Sequence, residues 1–239
     1  SVEKPAGCAG FTWPVPRLGI PSVFYANSPA GVAIQGCHSR FPIGCQLASS
    51  WDRELIESVG EAIGDEALES GIDMMLAPSM NIQRNALGGR NFDYYSEDPL
   101  VSGLSAAAFI NGLQSSNVGA SLKHFAVSNQ VSSRRENDAC VTQRTLREIY
   151  LRGFRIAIAR SHPWSVLSSY NKINGIFASE SGELLTTILR DEWGYDGMVI
   201  SNYAAPGDAV AKMLAGNDLL NPGSDYREVL DAVREGTLP

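Results

Sequence analysis

Ala120-Ser121-Leu122-Lys123-His124-Phe125 is a short, nearly continuous buried-type run that carries two basic residues close to its end. A run of this length, without strict alternation, is what a strand covered on both faces of a parallel sheet looks like. The pattern then changes. Residues 142–160 place Leu146, Ile149, Phe154 and Ile158 on one helical face, and Ser165-Val166-Leu167-Ser168 is again a short apolar run. Strand, loop, amphipathic helix and strand make one β/α unit.

The unit recurs in both directions. Upstream lie Val23-Phe24-Tyr25-Ala26 and Met74-Met75-Leu76-Ala77. Between them, residues 52–70 set Leu55, Val59, Ile63 and Ala67 at intervals of four, with Asp52 at the N-terminus. Pro99–Ser115 is a further helix with the small-residue stripe Ala106-Ala107-Ala108, and Glu97-Asp98-Pro99 supplies the negative charge favoured at its start. Downstream, residues 182–193 read as a helix stopping at Gly194. Met198-Val199-Ile200-Ser201 is another strand, Asp218-Leu219-Leu220 a weaker one, and Tyr226–Glu235 a last short helix.

Six or so strands recurring roughly every 30–45 residues predict a parallel α/β sheet. A complete (β/α)8 barrel takes about 250 residues, and the chain has 239. The expected fold is therefore a (β/α)8 TIM-type barrel, incomplete or collapsed at its ends. A doubly wound open sheet is the structural alternative. No G-x-G-x-x-G follows the first strand, and Gly7-Cys8-Ala9-Gly10 precedes it.

Composition narrows the function. With 44% hydrophobic and 19% charged residues the chain can bury a core, and a net charge of -7 argues against nucleic acid or an anionic membrane surface as a partner. No apolar run approaches the ~20 residues of a membrane span. The four cysteines, Cys8, Cys37, Cys45 and Cys140, lack a C-x-x-C pair, so no metal site is expected. Cys37 and Cys45 bracket a loop and would bridge in an oxidising compartment; four reduced thiols are the equal alternative. Localisation stays open, with secretion favoured over the cytoplasm.

In barrels, functional residues sit at the carboxyl ends of strands. Those positions carry Asn27, Asn81, Arg84, Arg90, Lys123-His124, Asn129, Arg134, Arg135, Tyr170-Asn171 and Asn202-Tyr203. Forked donors and amides beside aromatic rings suit a small polyhydroxylated ligand or an oligosaccharide. Nothing in the list calls for a cofactor.

The same loops carry a resemblance. Pro16-Arg17-Leu18-Gly19-Ile20-Pro21, Leu87-Gly88-Gly89-Arg90-Asn91-Phe92-Asp93-Tyr94-Tyr95-Ser96-Glu97-Asp98-Pro99, Lys123-His124-Phe125, Thr145-Leu146-Arg147-Glu148-Ile149-Tyr150, Ser169-Tyr170-Asn171-Lys172-Ile173-Asn174-Gly175 and Leu189-Arg190-Asp191-Glu192-Trp193-Gly194-Tyr195-Asp196-Gly197 occur in this order. They resemble the N-terminal barrel of the family 3 β-glycoside hydrolases, the β-glucosidases and β-xylosidases. The resemblance implies one barrel domain over residues 1–239, without the family's C-terminal α/β sandwich.

It also implies roles. Arg90, Lys123, His124 and Arg134 would hold sugar hydroxyls, with Asn27 and Tyr203 completing the substrate contacts. Tyr170 would sit beside the nucleophile, whose position is Asn202. Here the chain departs from the family pattern. Ser-Asp-Trp becomes Ser201-Asn202-Tyr203, Ala-Asp-Gly-Pro becomes Ala26-Asn27-Ser28-Pro29, and Asn-Ile-His-Arg becomes Asn81-Ile82-Gln83-Arg84. Retaining hydrolysis needs a carboxylate to attack the anomeric carbon and a second acid to protonate the leaving oxygen. Neither is evident, and many relatives take the acid from a later domain, so a partner domain or second subunit would complete the site. Three readings follow: a family 3-like barrel with impaired hydrolysis, a sugar-binding pseudoenzyme, or a diverged isomerase, lyase or cyclase using His124 for acid–base chemistry.

Overall fold

The computed structural model describes residues 5–36 and 38–239. The Cys37–Cys45 bridge, one of the two alternatives for these cysteines, rests on Cys37 and lies outside the described residues.

The strands are β1 (Gly10–Phe11), β2 (Phe24–Asn27), β3 (Met74–Leu76), β4 (Gly119–Phe125), β5 (Asp138–Ala139), β6 (Ser165–Ser168), β7 (Lys172–Ile173), β8 (Ile176–Phe177) and β9 (Met198–Ile200). The helices are α1 (Gly44–Ser49), α2 (Arg53–Glu69), α3 (Pro99–Ser115), α4 (Gln143–Thr145), α5 (Arg152–Ser161), α6 (Ala209–Leu214) and α7 (Tyr226–Glu235). The main sheet runs β1-β2-β3-β4-β6-β9. From β2 to β9 every pairing is parallel, and Leu219 pairs parallel with Ile200 to add one more position.

This order decides between the two expected architectures. It advances steadily along the chain and never reverses, whereas a doubly wound sheet must reverse at a switch point. Right-handed crossovers in one direction put every connecting helix on the same face. The other face must then bury its side chains against itself, which curls the sheet.

Two apolar clusters record this. Ala26, Met75, Leu122, Val166 and Val199 face the helices, meeting Ile56 and Ile63 of α2, Phe109 and Leu113 of α3, and Phe154 of α5. Their strand neighbours Tyr25, Met74, Leu76, Leu167 and Ile200 form a separate, smaller cluster on the inside of the curl. Period-two alternation sends consecutive residues to opposite faces. Tyr25 Oη donates to Asn221 Oδ1 at 3.3 Å, joining the first parallel strand to the segment just beyond Leu219. The fold is an incomplete (β/α)8-type barrel.

Where expectation and structure differ, the cause is local. In α2 the buried face is Ile56, Gly60, Ile63, Gly64 and Ala67, and Leu55 is 46% exposed. Gly60 and Gly112 let α2 and α3 approach until backbone meets backbone; a Cβ on Gly60 would collide with the Phe109 carbonyl, and one on Gly112 with that of Glu57. Ile63 and Ala67 face the core as expected, while in the first two turns Ile56 and Gly60 take the place of Leu55 and Val59. The helix expected over 142–160 is interrupted by a π-helical turn, Leu146–Tyr150, closed by Leu151 N–H to Leu146 O at 2.8 Å. The extra residue turns Ile149 outward and puts Leu151 in the core. Residues Glu183–Glu192 are wound the same way and stop at Gly194, which takes a left-handed φ of 68°. The short helices α1 and α6 are additions; Asp208 caps α6 by accepting from Ala211 N–H at 2.7 Å.

Candidate active site at the carboxyl end of the sheet

β4 carries the centre of the site. Lys123 pairs with Leu167 of β6 and Phe125 with Ser168, so His124 is an extra residue between them. Such a bulge takes one side chain out of the ladder and re-aims it. Asn81, beyond β3, clamps that residue from both sides. His124 N–H donates to Asn81 Oδ1 at 3.0 Å, and Asn81 Nδ2 donates to His124 O at 2.8 Å.

Lys123 is 4% exposed, and its Nζ donates to Oδ1 of Asn27, the last residue of β2, at 2.8 Å. Burial first and the Arg90 charge second bring the Lys123 ammonium down to about 7, with Asp93 acting in the opposite sense. His124 is held well below the usual imidazole range by burial first and then by Arg90, Lys123 and Arg134. It is a neutral imidazole at pH 7, and its Nδ1 has no partner.

Arg90 reaches the site from a loop built of successive turns, with Gly88 N–H to Asn85 O at 2.8 Å, Asn91 N–H to Gly88 O at 3.0 Å and Asp93 N–H to Arg90 O at 2.9 Å. Gln83 braces that loop, donating to Asn91 O at 2.8 Å and to Tyr94 O at 3.1 Å. The Arg90 guanidinium forms an ion pair with Asp93, which is 3% exposed, and lies 3.4 Å from Ser79 Oγ. Its Nε is buried without a partner.

The rest of the site comes from the loops after β4, β6 and β9. Tyr170 Oη donates to Tyr203 O at 2.9 Å. Its ring is covered by Arg134 at 4.9 Å and by Arg135 at 5.2 Å, and Arg135 Nη2 also lies 3.4 Å from Tyr203 O. Asn202 is 7% exposed; its Oδ1 accepts from Tyr203 N–H at 2.9 Å, while its Nδ2 has no acceptor. Tyr203 itself is exposed.

All eight candidates from the sequence, Asn27, Arg90, Lys123, His124, Arg134, Tyr170, Asn202 and Tyr203, thus stand at one end of the sheet. Sequence reasoning missed Asp93 as the counter-ion of Arg90. The available signal was a carboxylate three residues after an arginine in a Gly-rich loop. It also gave no role to the Asn81 clamp. A cavity of about 790 Å³ lies elsewhere, between the Arg90 loop and β5, lined by Arg84, Leu87, Val131, Asp138, Val141 and Tyr150. Among the described residues no group of three or more His, Cys, Asp or Glu is placed to hold a metal, and no helix is long and apolar enough to cross a membrane.

Residues 11–226 match the glycosyl hydrolase family 3 N terminal domain. The chain belongs to glycosyl hydrolase family 3. Among family members it is 43% identical to thermostable beta-glucosidase B of Acetivibrio thermocellus, aligned over 100% of this chain and 34% of that protein. It is 40% identical to an exo-alpha-(1->6)-L-arabinopyranosidase of Bifidobacterium longum, over 94% of this chain and 31% of that one. The structure of beta-glucosidase 3B from Thermotoga neapolitana in complex with alpha-D-glucose superposes with a TM-score of 0.96 at 47% identity, covering 99% of this chain and 36% of that one. The chain spans about a third of the length of each of these three relatives.

Proposed function

We propose that this barrel takes the terminal pyranose of a β-linked glucoside or xyloside at the carboxyl end of its sheet, and that Asn202 impairs ordinary retaining hydrolysis there. Family membership and the glucose-bound relative support the sugar. The observation that carries the impairment is Asn202 itself, 7% exposed at the end of β9 with an unpartnered amide nitrogen. Double displacement requires an anionic carboxylate to form the glycosyl-enzyme bond. An amide oxygen is a poor nucleophile and brings no charge to an oxocarbenium-like transition state, a loss on the order of several kcal/mol of barrier. The general acid in this reading comes from a further domain or a second subunit.

The test is hydrolysis of aryl β-glucoside and aryl β-xyloside by the wild-type protein and by Asn202→Asp. The expected result is a gain of at least about 10²-fold in the variant. Equal turnover by the two proteins would end the claim of impairment. Calorimetric titration of the wild type with D-glucose and D-xylose tests the sugar separately.

A second reading has its own observation. A neutral His124 with a free Nδ1 stands beside a Lys123 brought to about 7, and groups titrating near working pH suit acid–base catalysis. In that case the barrel would isomerise, eliminate or cyclise a non-glycoside substrate. Turnover of such a substrate that survives His124→Ala would remove His124 from the chemistry.

A further inference from the structure

The charges around the site do not balance. Arg90, Lys123, Arg134 and Arg135 bring cationic groups to the carboxyl end of the sheet. Among the described residues Asp93 is the carboxylate whose charge reaches Lys123, and it is already paired with Arg90. The charged groups acting on His124 are Arg90, Lys123 and Arg134, all cationic. At the carboxyl ends of β2 and β9, where a carboxylate could offset these cations, stand the amides Asn27 and Asn202. Lys123 Nζ therefore leans on an amide oxygen rather than on a carboxylate.

Several buried polar atoms of the site residues lack partners, His124 Nδ1 among them. Asn202 Nδ2 and Arg90 Nε are buried donors with no acceptor. Leaving a buried donor unpaired costs most of its desolvation, and a ligand that supplies the acceptor recovers it. A hydroxyl offers a donor along with its acceptors, so it answers this surplus only in part. A carboxylate is acceptor-only and brings the missing negative charge, and its hydrogen bonds to cationic donors are the stronger kind.

We infer that the site selects an anionic sugar, a pyranose bearing a carboxylate of the uronic acid class, in preference to a neutral hexose. The inference rests on the reading above that this ring of residues holds a pyranose. It adds the charge of that pyranose and assigns Asn27 and Asn202 as the specificity-determining positions. A carboxylate at either position would compete with the ligand's own for Lys123 and the unpaired donors.

Calorimetric titration of the wild-type protein with methyl β-D-glucuronide, methyl β-D-glucoside and sodium acetate separates the cases. The expected result is glucuronide binding at least about tenfold tighter than glucoside, weakened by added salt, with acetate weaker than both. Asn27→Asp and Asn202→Asp, each checked for folding by circular dichroism, are expected to remove or reverse the preference. Glucoside binding as tightly as glucuronide would overturn the inference while leaving the pyranose reading intact. Acetate matching glucuronide would show an anion site that does not read the sugar, and would also overturn it. Failure of both sugars to bind would remove the pyranose reading and the inference together.

Discussion

The two walls of the site are built differently. On the β2–β4 side, Asn27, Lys123, His124, Asn81, Arg90 and Asp93 are tied by hydrogen bonds and an ion pair, and four of them are buried. On the β6–β9 side, Tyr170 and Asn202 are buried, but Arg134 and Arg135, from the loop after β4, are exposed side chains laid over the Tyr170 ring, and Tyr203 projects into solvent. A wall of mostly buried groups tied to one another holds its geometry before any ligand arrives, and the atoms it leaves unpartnered, His124 Nδ1 and Arg90 Nε, are left for the ligand. A wall made of stacked surface cations adjusts to what binds. The first wall fixes where a ring and its hydroxyls sit, and the second tolerates variation in what is attached.

The sharpest break in this contrast is Asp93→Asn. It strips the counter-ion from Arg90, and losing one partner of a buried pair costs about 3–5 kcal/mol. Because a quarter of the Arg90 side chain is exposed, the expected loss lies at the lower end, about 3 kcal/mol. Urea unfolding measures it; a midpoint indistinguishable from wild type would show that the pair does not hold the loop. Next is Asn81→Ala, which leaves the backbone N–H and C=O of His124 without partners. Two net hydrogen bonds amount to about 2 kcal/mol. Sugar affinity should fall with it, since the bulge that aims His124 loses its clamp; unchanged affinity would place His124 outside the binding surface.

How much of this was legible in the sequence follows the same division. Strands at 74–77, 120–125, 165–168 and 198–201 announced themselves because a sheet covered on both faces leaves continuous apolar runs. The strand-end candidates followed, since barrels put their chemistry there. Three things were not legible. The use of Ile56 and Gly60 rather than Leu55 and Val59 in the first turns of α2 goes with a glycine pressed against α3, a tertiary contact that a hydropathy period cannot contain. The π-turn at Leu146–Tyr150 shifts a face without changing which residues are apolar. The Arg90–Asp93 pair depends on a chain of turns from Asn85 to Asp93 that brings together groups with no helical or strand spacing to mark them.

Lys123 permits a pH test of the buried wall. Its ammonium titrates near 7 in the folded protein and at the ordinary lysine value of 10.5 when unfolded. Below about 7 both states carry the proton and the cost of burying the charge is fully present. Between there and 10.5 the unfolded chain binds the extra proton, so stability rises with pH. The rise from this one group is at most about 1.4 kcal/mol per pH unit. Lys123→Met should flatten unfolding free energy against pH in that window. Persistence of the full slope in the variant would assign it to another group. If the ligand is anionic, its affinity in the wild type should fall over the same range, because the cation facing it is lost.

The smallest expected effect lies on the other wall and completes the comparison. Arg134→Gln removes one guanidinium from the face of Tyr170. An exposed cation–π contact contributes about 0.5–1 kcal/mol, and Arg135 still covers the ring at 5.2 Å. Stability should therefore change by about 0.5 kcal/mol or less, against about 3 for Asp93→Asn. Affinity should respond through charge instead: weaker for an anionic sugar, nearly unchanged for a neutral one, with the difference shrinking as salt screens it. A stability loss as large as that of Asp93→Asn would mean that the β6–β9 wall is as rigid as the β2–β4 wall. The division between a fixed and an adjustable side would then not hold.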